Sequence, residues 1–246
     1  MKKLLPLLVL LLLLSVSAHS QIHLFLEEQE ITLSDARSSA WVFPVARDLD
    51  EALDDLKDYV RDRSDVRMKN EGENLIMAEK VSIPTIATKR GDLVGYGFIT
   101  ENYYGLALVF QLGYDISINS REWSTEMNNF RNYTKEFMSY HYEQSYARRI
   151  DALEKEVKSV EKERSQNEGK INSMNKKISN LVGRNAKEDD EAKITSNKAE
   201  ITTLESDIQE LTDTLPGLTS QIDVLNGNLN KLKTESHTYQ TVIGSI

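Results

Sequence analysis

Residues 201–232 read ITTLESDIQELTDTLPGLTSQIDVLNGNLNKL. Ile201, Leu204, Ile208, Leu211, Leu215, Leu218, Ile222, Leu225, Leu229 and Leu232 recur at alternating spacings of three and four, the a/d seam of a coiled coil. A second seam lies upstream, through Ile150, Leu153, Val157, Val160, Ile171, Met174, Ile178 and Leu181, with Arg164 and Asn167 where the pattern asks for apolar side chains. From Ile150 to Ile194 is 44 residues, six heptads plus two. A single stutter or stammer leaves a remainder of four or three, so the seams belong to separate helices.

The chemistry between them is that of a turn. Gly183 stands just past Leu181 and Val182, where a left-handed residue ends a helix, and Asn185 with Glu188 reads as the capping box of the next one. A short loop makes neighbours antiparallel. A turn over 184–187 lays residues 191–246 back along 125–182, with facing residue numbers summing to about 368–374. Arg164 then meets the stretch holding Glu205, Asp207 and Glu210, whereas in a parallel dimer it would face its own copy. Arms of this length are on the order of 80 Å at ~1.5 Å per residue. Pro216 and Gly217 fall in mid-seam, where a kink or helix break is expected.

Upstream of the hairpin the period changes. Ile22–Leu33 alternates as an edge strand or ordered arm; Trp41, Val42, Phe43 and Val45 form a short apolar run. Asp48 and Glu51 make a capping box for a helix with Leu49, Leu53, Leu56 and Val60 on one face and Asp50, Asp54, Asp58 and Arg61 toward water. From Val66 to Ile118 the apolar residues alternate, with turns near Gly72 and at Glu101–Asn102, as antiparallel hairpins do. Pro84 belongs at a strand end or edge. Asn119 with Glu122 caps the first long helix, whose opening turns carry Trp123, Met127, Phe130 and Phe137, bulky enough to pack on a sheet.

The expected fold class is therefore α+β: a small antiparallel sheet domain with a covering helix over residues 21–121, then a long helical hairpin over 122–246 with its turn near 183–190. The order strand, helix, several strands, helix is similar to helix-grip or TATA-binding-protein-like half folds, a likeness of order that carries no function.

The first twenty residues predict export. Lys2 and Lys3 precede the apolar run Leu4–Leu14, and Val16 with Ala18, or Ala18 with Ser20, fits a cleavage site leaving a mature start near His19 or Gln21. The run is shorter than the ~20 residues that span a bilayer, so no transmembrane segment is expected after removal. A periplasmic or secreted location follows. The chain has no cysteine, which excludes disulfides and thiol catalysis.

Charge and motifs narrow the function. The net charge is −9, and leaving out Lys2 and Lys3 makes it −11. No lysine-bearing stretch is free of acidic neighbours, which argues against nucleic acid. Beyond the signal only His23, His141 and His237 remain, and no metal, nucleotide or nucleophile motif is present. His141, beside Tyr140 and Tyr142, reads as a helix-surface histidine engaged in packing rather than a ligand; Tyr133 and Tyr146 extend the same tyrosine set. Gly91, Gly95 and Gly97 alternate within a strand and admit a close helix rather than a phosphate.

No enzyme, cofactor or metal site is expected. Lys187, Glu188, Asp189 and Asp190 are the candidate partner-binding tip, and their carboxylates suit a helix N-terminus better than calcium. Trp123, Met127, Phe130 and Phe137 are candidates for head packing or for a pocket. The function expected is an exported structural or protein-interaction component of a bacterial-type envelope, partnering an envelope protein or self-associating through the coil. The alternative is a small-molecule or lipid binding module with its pocket between sheet and long helix.

Overall fold

The computed structural model describes residues 24–33, 36–46, 49–113 and 116–246. The expected signal at 1–20, with Ile22, His23 and the capping Asp48, lies outside them. The fold is α+β, as expected. Elements follow in the order β1 (Glu27–Leu33), β2 (Ala36–Pro44), α1 (Leu49–Ser64), β3 (Lys69–Gly72), β4 (Leu75–Val81), β5 (Gly91–Ile99), β6 (Tyr104–Gln111), α2 (Ser124–Asn185) and α3 (Glu191–Ser245). No helix among the described residues is long and apolar enough to cross a membrane.

The six strands form one antiparallel sheet in the order β1-β2-β6-β5-β4-β3. β1 is an edge strand, and its Glu27, Gln29 and Glu30 are exposed, a charged edge that resists further pairing. The apolar run at Trp41–Val45 belongs to β2, a longer and more central strand than the sequence suggests. α1 ends where Asp65, at φ 52°, donates its amide to the Arg61 carbonyl, a left-handed stop supplied by aspartate rather than glycine. Pro84 lies in the β4–β5 connection, and Asn119 Oδ1 accepts the amides of Arg121 and Glu122 at 3.0 Å each, the expected cap before α2.

The chain divides into two compact units. The first holds the sheet, α1, α2 as far as Ser145, and the last turns of α3 from His237. The alternating glycines seat α1: a Cβ on Gly95 would come within 2.6 Å of Leu56, and one on Gly97 within 3.2 Å of Leu49. The opposite face of the sheet has a floor of Ala40, Val42, Val94, Ala107 and Val109, with Phe25, Ile31, Leu33, Leu75, Met77 and Phe98 packed around it. The C-terminal turns also belong here. Tyr239 stacks on Tyr142 with centroids 5.1 Å apart, Lys135 donates to the Gly244 carbonyl at 3.0 Å, and Arg131 donates to the Ile246 carbonyl.

The second unit, Tyr146–Ser236, is the antiparallel hairpin. Every seam position is buried or half-buried, Leu225 completely. The turn differs from the sequence reading. α2 runs through Gly183 to Asn185, and the cap of α3 is Asp190, whose Oδ1 accepts the Ala192 amide at 2.9 Å. A helical glycine costs only about 1 kcal/mol against alanine, less than the packing it would forfeit by ending the helix four residues early. Facing residues accordingly sum to 377–387, as Lys177–Glu200, Asn167–Thr214, Asn185–Asn197 and Lys233–Glu154 demonstrate. Arg164 does not meet residues 204–210; its ionic neighbour is Glu168 on its own helix at 3.7 Å. Nor does Pro216 end α3, which continues through it to Ser245.

Candidate functional site

The opening turns of α2 place the large residues that the sequence singled out. Met127, Phe130 and Phe137 are wholly buried, while Trp123 is half-buried with the Lys89 ammonium 4.8 Å above its ring. Phe130 packs on Phe110 of β6, and Phe137 on Phe43 of β2, with centroids 6.2 and 5.9 Å apart. Trp41 donates its indole N–H to the Met127 carbonyl at 3.2 Å, and Tyr142 its hydroxyl to Pro44. Helix and sheet thus meet through filled aromatic contacts in tilted and edge-on geometries, which suit the ring quadrupoles.

Within that layer lies a pair that the sequence reading missed. His141 is fully buried, not a surface residue, and its Nδ1 sits 2.7 Å from Asp55 Oδ2 on α1. Its Nε2 accepts the Ala46 amide at 3.0 Å. An acceptor at Nε2 and a carboxylate at Nδ1 define a neutral imidazole with its proton on Nδ1. Both nitrogens are engaged by protein. The arrangement joins α1, α2 and the β2–α1 connection, and leaves no free nitrogen to take a proton from a substrate. The signal for Asp55 was present: it falls between Ala52 and Tyr59 on the buried stripe of α1, where a carboxylate requires a partner.

Tyr59 extends this cluster. Its ring lies 5.2 Å from that of Tyr133 and 5.5 Å from that of Phe137, and its hydroxyl donates to Glu136 at 3.3 Å. Burial pushes the Tyr59 phenol far above the ordinary tyrosine range, with Tyr133 and the Glu136 carboxylate adding to the shift. Tyr133 is raised too, again chiefly by burial. Such phenols are donors, not bases.

At the turn of the hairpin the four tip residues take separate parts. Lys187 is exposed and lines a concavity of about 850 Å³ together with Arg184, Lys193 and the small residues Ser179, Gly183 and Ser196. Glu188 is half-buried and 3.6 Å from Lys193; Asp190 caps α3 and lies 3.8 Å from the same ammonium. Asp189 is exposed. Among the described residues no group of three or more histidines, cysteines or carboxylates is arranged to hold a metal ion.

The fold and its sites define an α+β head whose last helix continues into an antiparallel coiled-coil hairpin. No family model, curated protein or solved structure matches this chain.

Proposed function

We propose that this chain is an exported structural or protein-interaction component of a bacterial-type cell envelope, using its coiled-coil hairpin for assembly or partner docking. The observation that carries the reading is that the hairpin seam is satisfied within one chain. Lys177–Glu200 at 2.6 Å, Asn185–Asn197 at 2.6 Å and Lys233–Glu154 at 2.9 Å join the arms across it. A coil that needs no second strand keeps its outer faces for recognition. The head supports the same reading, since the buried His141–Asp55 pair is consumed by structure. The alternative, a ligand pocket between sheet and long helix, finds no support in a layer where Met127, Phe130 and Phe137 are fully buried against their neighbours. Export rests on the Lys2-Lys3 and Leu4–Leu14 pattern.

The test combines cell fractionation with photo-crosslinking. A photoreactive residue at exposed Val182 or Val224 should give discrete protein adducts in the envelope fraction, from chains whose N-terminus lies near His19 or Gln21. Chains that begin at Met1 in the cytosol, or hairpin positions that yield no adduct, would overturn the proposal.

A further inference from the structure

We infer that the turn end of the hairpin is a self-association site, in which Arg184 and Lys187 of one chain meet Asp189 and Glu191 of a second copy. The inference deepens, and rests on, the reading of the hairpin as an assembly element. Three charges at this end are already used: Lys193 lies 3.6 Å from Glu188 and 3.8 Å from Asp190, whose carboxylate also caps α3. What remains is two cations and two anions. Arg184, Lys187, Asp189 and Glu191 are exposed and make no ion pair among the described residues.

These charges are separated in space. Arg184 and Lys187 line the concavity of about 850 Å³ together with the paired Lys193 and Glu188, whereas Asp189 and Glu191 are not part of its wall. The wall between the cations is low: a Cβ on Gly183 would meet nothing within 4 Å, and Ser179 and Ser196 flank it. Val182, 54% exposed, adds an apolar contact at the same end. A surface that carries two exposed cations in a recess and two exposed anions outside it can complement itself under a two-fold axis, the cations of each copy meeting the anions of the other. A polyanion such as nucleic acid or an acidic membrane fits less well, since the exposed Asp189 and Glu191 at the same end oppose it. Exposed ion pairs are individually weak and salt-sensitive, so the association is of low affinity.

The experiment is sedimentation equilibrium of the chain recovered from cells, at 5–200 µM, with circular dichroism of every variant to establish that the helices are intact. The weight-average mass should rise with concentration toward a dimer in low salt, and return to monomer in about 1 M salt, where the Debye length is ~3 Å. Arg184→Glu with Lys187→Glu, and separately Asp189→Lys with Glu191→Lys, should each weaken dimerisation at least tenfold. The fourfold variant carrying both reversals should dimerise again. A wild-type chain that stays monomeric throughout, a dimer unaffected by salt and by either reversal, or a fourfold variant that does not recover would each overturn the inference. Failure here together with heterologous adducts from Val182 would leave the envelope-interaction reading standing, so the two are distinguishable.

Discussion

His141 and Asp55 offer the sharpest test of what holds the head together. Their 2.7 Å contact has the same length as that between Arg61 and Asp58, yet the two should differ severalfold in consequence. Arg61 and Asp58 are each about half exposed, at 51% and 50%, so water and salt screen them and their pairing contributes about 0–1 kcal/mol. His141 is fully buried and the Asp55 side chain only 7% exposed. Removing one partner there leaves the other desolvated, at a cost of about 3–5 kcal/mol. Against the ~5–15 kcal/mol that stabilises a typical domain, that is a large fraction.

The perturbation is His141→Phe, which keeps the volume and the ring stacking on Phe137, 6.0 Å away, but removes both nitrogens. The Ala46 amide and the Asp55 carboxylate then each lose a partner. Thermal unfolding should shift down by roughly 6–20 °C, given ~2–4 °C per kcal/mol in a chain of this size. Asp58→Ala should shift it by less than about 4 °C. Asp55→Asn alone should be costly, while the double variant should cost clearly less than the two singles added together, because the pair is then gone as a unit. The imidazole nitrogen spectrum of the wild type should report the neutral form protonated at Nδ1. A shift below 2 °C for His141→Phe, or strict additivity in the cycle, would refute the coupling.

Three further outcomes follow from the packing. Gly95→Ala should destabilise by about 1–3 kcal/mol, because its Cβ would intrude on Leu56, whereas Gly217→Ala, which meets nothing within 4 Å, should stabilise α3 by up to about 1 kcal/mol; chemical denaturation measures both. Tyr59 and Tyr133 should resist ionisation in ultraviolet titration. Since their folded-state values are raised, their neutral forms favour the fold up to the unfolded value of ~10, and that stability is lost as the pH rises beyond it; normal titration of all ten tyrosines in folded protein would contradict this. Asn185→Cys with Asn197→Cys, whose side chains now touch at 2.6 Å, should oxidise to an internal disulfide in this cysteine-free chain, seen as a monomer of altered gel mobility; a covalent dimer instead would refute the hairpin register.

What the sequence made legible was what has a direct physical period. The seam at 201–232, Gly95 and Gly97 beneath α1 and the Asn119 cap appear as read, whereas Gly91 lies not under a helix but against Phe110 and Gln111 of β6. β2 was harder because Ala40, Trp41, Val42 and Phe43 are all buried: with both faces of the strand covered, alternation vanishes and only a short apolar run remains. The return of residues 237–246 to the head was invisible for a similar reason. Tyr239 and Ile243 continue the heptad spacing, and nothing in that spacing states whether their neighbours lie in a coil or in a domain. His141 was rightly read as packing but wrongly as a surface residue, because its partner sits 86 residues away on another helix.

The displaced turn has a consequence of its own. With Gly183 kept inside α2, Arg164 and Asn167 slide past the acidic stretch 204–210 and come level with the segment around Pro216 and Gly217. Asn167, 8% exposed, donates to Thr214 Oγ1 at 3.4 Å, and Thr214 in turn donates to the Leu211 carbonyl at 2.7 Å. Pro216 has no amide to offer the Thr212 carbonyl, so this interior turn of α3 lacks one backbone bond. The two irregularities of the sequence, polar residues in one seam and a proline in the other, therefore fall in a single layer. A polar residue inside an apolar seam penalises every register that does not supply its partner. Shifted by half a heptad, three or four residues, Asn167 would face Leu211 or Leu218 instead of a hydroxyl, so this layer opposes such slips of the arms in the turn that the proline weakens.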